Sequence, residues 1–378
     1  MARNQSKAKN GFPHFMLKEI YEQPEAVRRV IAGRVDAAGR IVLPGLGMSE
    51  DKIRTFSKVT VAASGSSRHA GMVGEFMMER MTGLPVEVDF ASQYCYRDPV
   101  VAPHELTIFL SQSGTTIDTI TALQVARRKG AKSLAICNVP DTPLTQNADT
   151  TFLTHAGEEV AIAATKSFTT QLTALFLLAA FVAQAHKKTG AATASAVAAL
   201  QFLPERMEGA LATDAESRKF AQLLYKYKDF IYVGRDIDYP IALEGALKLK
   251  EISYIHAEGY PTGELKHGPT ALVHEGLPLV VLALHDKQDE DSMLRYGKTV
   301  SNIREFLERE IPVLAIVNAS DTEVAALTPC VLPVPDVPVL LQPIVEVIPL
   351  QLLAYHIAVL CGRNVDQPRH LSKSVVIE

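Results

Sequence analysis

Hydroxyl-bearing residues cluster at two points of the sequence where chemistry could take place. Ser64-Gly65-Ser66-Ser67 follows the apolar run 58–63, and residues 111–116 follow the apolar run 106–110. A helix-like pattern comes after each cluster. The first N–H groups of a helix lack intrahelical partners, and the helix dipole adds partial positive charge there. The two clusters therefore suit a phosphate monoester, although an ordinary capped helix after a strand explains either cluster alone.

Neither cluster carries a nucleotide-binding signature. The chain has no Gly-x-x-x-x-Gly-Lys-Ser/Thr sequence, and residues 64–69 lack the glycine triplet of dinucleotide sites. A sugar phosphate therefore fits the two clusters better than ATP or NAD.

Ionisable residues gather further along the chain. Glu244, Lys248 and Glu251 are spaced i, i+4, i+7 in a predicted helix over residues 242–255, so they share one face. A solvated, salt-bridged face is the usual fate of such a trio, but the positions between its members are strongly apolar. His267 stands between a lysine and a Gly-Pro pair, which is typical of an exposed, rigid turn.

These residue types match aldose–ketose chemistry at a phosphate-bearing sugar. One group opens the sugar ring, and a carboxylate moves a proton between adjacent carbons. A lysine can also form an imine with the open-chain carbonyl. Three lysines are candidates for that role: Lys166, Lys248 and Lys373.

Apolar runs alternate with helix-like patterns along most of the chain. A leading helix is predicted over residues 15–31, and long helices over 167–186, 194–210 and 340–360. Strands are predicted at 58–63, 85–90, 106–110, 132–137, 150–154, 229–233, 277–284, 311–317 and 330–334. Alternation at this spacing indicates parallel βαβ units.

An internal repeat appears when the chain is shifted by roughly 169 residues. The shift places Gly65 on Gly234, Glu75 on Glu244, and Asp89 on Glu258. The repeat predicts an α/β fold of two tandem, doubly wound parallel sheets in three-layer αβα form, with ligands at the carboxyl ends of the strands. The predicted boundaries are a leader and helix over 1–45, a phosphosugar domain over 46–212, a catalytic domain over 213–362, and a tail over 363–378 that closes the site.

Composition excludes several classes of function. The 378 residues are 47% apolar and 21% charged, with a net charge of −4, which argues against a nucleic-acid surface. The apolar stretch 172–185 is too short to span a bilayer and predicts a buried helix rather than membrane binding. The first ten residues lack a secretory signal, and four widely separated cysteines indicate reduced thiols in a cytoplasmic protein. No metal or cofactor is predicted.

Several motifs resemble the isomerase half of glucosamine-6-phosphate synthase (glutamine:fructose-6-phosphate amidotransferase). They are Ser111-Gln112-Ser113-Gly114 and the stretches 135–140, 165–171, 239–251, 263–269 and 365–378. The resemblance covers nearly the whole chain, from about residue 15 to its end. It implies two sugar isomerase (SIS) domains, in agreement with the repeat.

The resemblance also implies roles for individual residues. Glu251 matches the general base that moves a proton between carbons 1 and 2, and Lys248 matches a lysine that assists it. His267 matches a ring-opening histidine contributed by the neighbouring subunit, which implies a homodimer. Lys373 matches the lysine that forms an imine with the open-chain ketose. The residues that match the substrate contacts are Ser66, Ser67, Ser111, Gln112, Ser113, Thr116 and Ala164.

The chain departs from the family pattern in several places. Residue 2 is Ala and no cysteine precedes Cys95, so the glutaminase domain with its N-terminal cysteine is expected to be absent. Ser64 replaces a usual Cys, Thr115 a usual Glu, and Ala164 a Ser that contacts the sugar. The chain is therefore expected to use free ammonia, to accept ammonia from a separate glutaminase, or to run in reverse, as related glucosamine-6-phosphate deaminases do.

Two alternatives stay open at this point. SIS domains also serve as non-catalytic, sugar-phosphate-binding modules in regulators, although this chain shows no basic DNA-binding segment. The sequence is also compatible with a fragment of a longer synthase. The leading expectation is an enzyme that interconverts fructose 6-phosphate plus ammonia with glucosamine 6-phosphate.

Overall fold

The computed structural model describes residues 8–375, so the first seven residues of the predicted leader and the last three of the tail lie outside it. The described residues form two compact units. The first unit comprises Glu25–Glu159, Lys166–Gln201 and residues 372–375, and the second comprises residues 8–24, Val160–Thr165 and Phe202–Leu371. Each unit contains one parallel five-stranded sheet. The domain boundaries given above stay a prediction.

The first half of the chain carries five strands and nine helices among the described residues. In chain order they are α1 (Phe15–Tyr21), α2 (Gln23–Ile31), α3 (Glu50–Arg54), β1 (Lys58–Ala63), α4 (Gly65–Thr82), β2 (Val86–Phe90), α5 (Ala91–Tyr96), β3 (Glu105–Ser111), α6 (Ile117–Arg128), β4 (Lys132–Cys137), α7 (Pro143–Asn147), β5 (Thr150–Leu153), α8 (Lys166–Ala185) and α9 (Ala191–Ala199). The strand order is β2-β1-β3-β4-β5. The order reverses between β1 and β3, which is the switch point where ligands bind in doubly wound sheets.

The central strands are buried along nearly their full length. All seven residues of β3 are buried, as are all but the first of β1. Such continuous burial is expected of parallel strands covered on both faces by helices. Helix α4 packs against α8, where Gly74 allows the Leu175 side chain to approach closely.

The second half of the chain repeats this plan. Its elements are α10 (Leu203–Leu211), α11 (Asp214–Leu224), β6 (Asp229–Gly234), α12 (Tyr239–Ser253), β7 (His256–Pro261), β8 (Leu279–Ala283), α13 (Glu290–Glu308), β9 (Val313–Asn318), α14 (Glu323–Leu327), β10 (Val331–Val334) and α15 (Gln342–Leu360). The strand order β7-β6-β8-β9-β10 reproduces that of the first sheet. The predicted fold class, with two tandem doubly wound sheets, is therefore confirmed.

The structure corrects the predicted extent of two helices. The leading helix predicted over residues 15–31 is two helices that meet at Glu22. Pro24 explains the break, because a proline lacks the N–H that would continue the first helix. The helix predicted over residues 194–210 is likewise divided into α9, a short 3-10 turn and α10, and Pro204 lies in the first turn of α10.

Two helices among the described residues are long and apolar enough to cross a membrane by length and composition alone. They are Lys166–Ala185 and Val339–Leu360, and 94% and 89% of their most apolar windows are buried inside the protein. Burial to this extent is typical of core helices, as predicted for residues 172–185.

Candidate active site

The two hydroxyl clusters follow neighbouring strands of the first sheet. Ala63, the last residue of β1, pairs with Leu110 in β3, so the residues that follow each strand emerge at the same sheet edge. This edge is the β1/β3 switch point. The predicted placement of both clusters at the carboxyl ends of parallel strands is confirmed within the first unit.

The turn over residues 111–116 is organised by its own hydroxyls. Ser111 Oγ accepts a hydrogen bond from the Gly114 N–H at 3.0 Å and lies 3.3 Å from Thr116 Oγ1. Ser113 Oγ accepts from the N–H and the hydroxyl of Thr115, at 3.2 and 3.0 Å. Because Ser113 accepts in both contacts, its own O–H remains a donor, which is what a phosphate oxygen requires.

Gly114 gives this turn its shape. Its φ is +66°, a conformation that L side chains rarely adopt, and an added Cβ would lie 2.1 Å from Thr142 Oγ1 and 2.9 Å from Cys137 Sγ. The Gly114 carbonyl also accepts from the Leu144 N–H at 3.1 Å. The turn is therefore pressed against the segment after β4.

We expect Gly114→Ala to lower the affinity for hexose 6-phosphate by at least about tenfold, because the turn must move away from Thr142. The left-handed conformation adds roughly 1–2 kcal/mol of destabilisation. The matched control is Gly130→Ala, since Gly130 has a φ of +87° but no atom within 4 Å of an added Cβ. Calorimetric titration of both variants tests this expectation. Equal affinity in the two variants would contradict it.

The second cluster lies in the first turn of α4. Ser66 and Ser67 are half-buried there, and Ser67 Oγ accepts a hydrogen bond from Gln171 Nε2 of α8 at 3.0 Å. Gln171 is 3% exposed, so the Ser67 hydroxyl is fixed by a side chain of the core. Like Ser113, Ser67 accepts in this contact and keeps a proton to donate.

The tail brings Lys373 into the first unit. Its Nζ lies 2.6 Å from Oε2 of Glu159, a fully buried carboxylate that no sequence motif singles out. Two residues further on, the Val375 carbonyl accepts from the N–H of Ile117, the first residue of α6. The first unit thus contains Lys373 together with Ser66, Ser67, Ser111, Gln112, Ser113 and Thr116.

The trio on α12 is buried rather than solvated. The side chains of Glu244 and Lys248 are fully buried, and only Glu251 is partly exposed, at 22%. Lys248 Nζ lies 2.5 Å from Glu251 Oε2 and 3.3 Å from Glu244 Oε1. The apolar positions between the three residues account for this burial, which contradicts the interpretation of a solvated salt-bridged face.

The charge balance of the trio fixes the state of Lys248. Burial alone would lower the pKa of Lys248, but the two carboxylates outweigh it and raise that pKa above its usual value. The Lys248 side chain is also fully buried, so a sugar carbonyl has no access to its nitrogen. Lys248 therefore suits the orientation of Glu251 and not the formation of an imine, and the 4% exposure of Lys166 leaves little room for a sugar.

The remaining predicted residues of the second unit differ in exposure. His267 ends the 3-10 helix Thr262–His267, is exposed, and makes no hydrogen bond or ion pair within the described chain. Such a side chain is accessible to a neighbouring subunit. Ala164 lies half-buried in the stretch Val160–Thr165, and its methyl group offers no polar contact to a sugar.

Asp238 and Glu346 form a second pair of buried acids near the start of α12. Asp238 directly precedes the helix. Its charge adds to burial in raising the pKa of Glu346 in α15. Oδ1 of Asp238 and both carboxylate oxygens of Glu346 have no hydrogen-bond partner among the described residues. Burial, against the opposing charge of Arg295, raises the pKa of Asp238 to about 8, and burial raises that of Glu346 well above its usual range.

This pair should make the protein less stable as the pH rises from about 4 to about 8, because the folded state then holds protons that the unfolded state has lost. We expect Glu346→Gln to flatten that dependence relative to the exposed control Glu275→Gln. His155 and His285, whose pKa values burial lowers, act in the opposite direction, so the difference between the variants is decisive. Urea unfolding at both ends of this pH range measures it. Parallel curves for the two variants would contradict the expectation.

Comparison with known proteins identifies the family of this chain. A family model described as the SIS domain matches residues 52–181 and 223–361. The glutamine–fructose-6-phosphate aminotransferase (isomerizing) of Symbiobacterium thermophilum is 45% identical over 372 residues, which are 98% of this chain and 60% of the relative. The chain therefore spans about 60% of the length of the curated relatives it matches.

Two solved structures match most of the chain. The C-terminal domain of glucosamine-fructose-6-phosphate aminotransferase from Francisella tularensis has a TM-score of 0.88 and 37% identity, covering 95% of this chain and 100% of that one. A glucosamine-6-phosphate deaminase from Thermotoga maritima has a TM-score of 0.73 and 21% identity, covering 96% and 100%. At that identity the second likeness concerns the fold alone.

Proposed function

Because this chain belongs to the SIS-domain family, we propose that it interconverts fructose 6-phosphate plus ammonia with glucosamine 6-phosphate. The observation that carries the proposal is the ion-paired trio of α12. It buries two charges in order to hold Glu251 at a partly exposed position. A buried ammonium that fixes a partly exposed carboxylate supports the role of Glu251 as a positioned general base.

The phosphate of the sugar is held by the first unit in this proposal. Ser67 and Ser113 each keep a hydroxyl proton to donate, and the turn after β3 leads into the N-terminus of α6. Ser66, Ser111, Gln112 and Thr116 complete the site. Ala164 stands at a sugar contact with no hydrogen bond to offer, so one interaction of the family is absent there.

The proton transfer is the work of Glu251. In the open-chain ketose it takes a proton from carbon 1 and returns it to carbon 2, while the buried ammonium of Lys248 fixes the carboxylate in place. His267 opens the sugar ring from the neighbouring subunit of a homodimer, and its exposure suits that role. Neither step requires a metal or a cofactor.

Lys373 forms an imine with the carbonyl at carbon 2 and so activates that carbon for exchange with ammonia. The geometry favours Lys373 over Lys166 and Lys248, because its side chain is 25% exposed whereas those of the other two are buried. The chain works with free ammonia, or with ammonia from a separate glutaminase, and in either direction. A cytoplasmic location is part of the proposal.

Two incubations of the purified chain test the proposed function. Glucosamine 6-phosphate should yield fructose 6-phosphate and ammonia, and fructose 6-phosphate with an ammonium salt should yield glucosamine 6-phosphate. The absence of turnover in both would overturn the proposal. A parallel incubation with glutamine in place of ammonium tests the ammonia source, and turnover there by this chain alone would contradict that part.

A further inference from the structure

Lys373 forms an ion pair with the buried carboxylate of Glu159, to which the proposed mechanism assigns no role. Its Nζ lies 2.6 Å from Glu159 Oε2, and the Glu159 side chain is fully buried although the lysine side chain is 25% exposed. An exposed lysine has no need of a buried acid for solubility. A carboxylate buried at this position therefore serves to hold the amine.

Glu159 is itself held by a rigid element. Its carboxylate accepts from the N–H of Ser167 at 3.0 Å and from the Ser167 hydroxyl at 2.7 Å. Ser167 is the second residue of the long core helix α8, where the helix dipole favours a negative charge. Burial alone would raise the pKa of Glu159, but Lys373 and Ser167 together lower it to about 2.

The tail has a second attachment in the same unit. The Val375 carbonyl accepts from the Ile117 N–H at 3.0 Å, and Ile117 directly follows the turn over residues 111–116. Only two positions along the chain separate the Lys373–Glu159 ion pair from the Val375–Ile117 hydrogen bond. The two contacts together restrict the position of Lys373 Nζ. Ser372 and Val375 are exposed, whereas the Glu159 contact is made by the amine itself.

We propose that Glu159 is a positioning residue for Lys373: its carboxylate, fixed by Ser167 on α8, holds the lysine nitrogen where the sugar carbonyl must arrive. This inference rests on the proposed function, because it assigns the geometry of the imine step. Glu159 acts through Lys373 and does not touch the sugar.

The charge balance of the imine step agrees with this role. The ammonium and the ketone give a protonated imine and water. One ammonium proton passes to solvent and frees the nitrogen lone pair that forms the new C–N bond. The C–O bond then breaks, and the oxygen leaves as water with a second proton from the nitrogen and one returned from solvent. The nitrogen carries one positive charge before and after. Glu159 therefore faces the same charge in both states, so its contribution is placement and not selective stabilisation of one state.

A test without substrate measures the holding of the amine. The purified chain is acetylated with acetic anhydride, and modification of Lys373 is followed by peptide mass spectrometry against the exposed Lys187. Glu159→Gln should raise the Lys373 rate at least about tenfold, because the charged hydrogen bond is lost. The matched control is Glu158→Gln, which changes the exposed neighbour in the same way and should leave the rate unchanged.

A test with substrate measures the placement of the amine. Borohydride is added to the chain and fructose 6-phosphate, and reduced imine on Lys373 is quantified. Glu159→Gln should be trapped about 10- to 100-fold more slowly than wild type, with affinity for inorganic phosphate within about twofold. Faster acetylation combined with slower trapping is a signature that a general structural defect does not produce. Ser167→Ala, which keeps the charge, should move both rates in the same directions by less.

The outcomes separate the inference from the function on which it rests. Equal trapping in wild type and Glu159→Gln, or an unchanged acetylation rate, overturns the positioning role while turnover stands. A wild-type chain that turns over the sugar but is never trapped removes the imine step, and the positioning role is overturned with it. Absence of turnover overturns the proposed function first.

Discussion

Glu251→Gln should lower the rate of interconversion by about 10²- to 10⁴-fold, the usual contribution of a positioned general base. The substitution keeps the size of the side chain and a hydrogen-bond acceptor for the Lys248 ammonium, but it removes the group that takes the proton. Affinity for fructose 6-phosphate should be unchanged, because the proposed phosphate contacts lie in the first unit. Steady-state kinetics and calorimetric titration measure the two quantities.

Glu275→Gln is the control for this substitution, since it makes the same chemical change at an exposed position of the same unit. Its activity should equal that of wild type. Activity of Glu251→Gln at the control level would contradict the assignment of the base. If, in addition, wild type bound hexose 6-phosphate without turning it over, the non-catalytic regulator would replace the enzyme as the explanation.

Lys248→Met should destabilise the protein by about 3–5 kcal/mol, because it leaves the buried carboxylate of Glu244 without its counter-ion. Methionine matches the length of the lysine stem, so no large cavity forms. The measurement is urea unfolding, with the free energy extrapolated to water.

The double variant Glu244→Gln with Lys248→Met separates charge from packing. It removes the charge of the Glu244 carboxylate as well, so most of the lost stability should return. If the single variant were as stable as wild type, the trio would not be the buried ion network that its geometry indicates. If the double variant stayed as unstable as the single one, packing and not charge would be the cause.

The sequence predicts the sheets well because burial leaves a simple pattern. β1 and β4 have the predicted bounds, since each is a mostly apolar, buried run followed by a polar turn. The repeat also points to the correct duplication, although Gly65 begins α4 whereas Gly234 ends β6. The strand order, and not the alignment of single residues, carries the symmetry.

Among the elements that escape prediction, β7 and α13 do so for different physical reasons. β7 is an edge strand with only one buried residue and a proline at its end, so it lacks the apolar run that marks its neighbours. α13 did carry a signal: Tyr296, Val300 and Ile303 are buried at helical spacing. The many charged residues between them hid that stripe.

Part of the candidate site could be predicted from the sequence and part could not. The hydroxyl clusters after strands predict the place of both turns, because parallel topology alone brings the strand ends to one edge. The pairing of Glu159 with Lys373 could not be predicted from the residues, since 214 positions separate them and neither lies in a periodic pattern. Only the fold of the tail brings these two residues together.

Solvent hydrogen exchange tests the central claim most directly. In heavy water, with fructose 6-phosphate and no ammonia, wild type should place deuterium on carbon 1 of the ketose or on carbon 2 of an aldose product, because the partly exposed Glu251 exchanges its proton with solvent. Glu251→Gln should leave the sugar unlabelled. Labelling at the wild-type rate in that variant, or none in a wild-type chain that binds the sugar, would contradict proton transfer by Glu251.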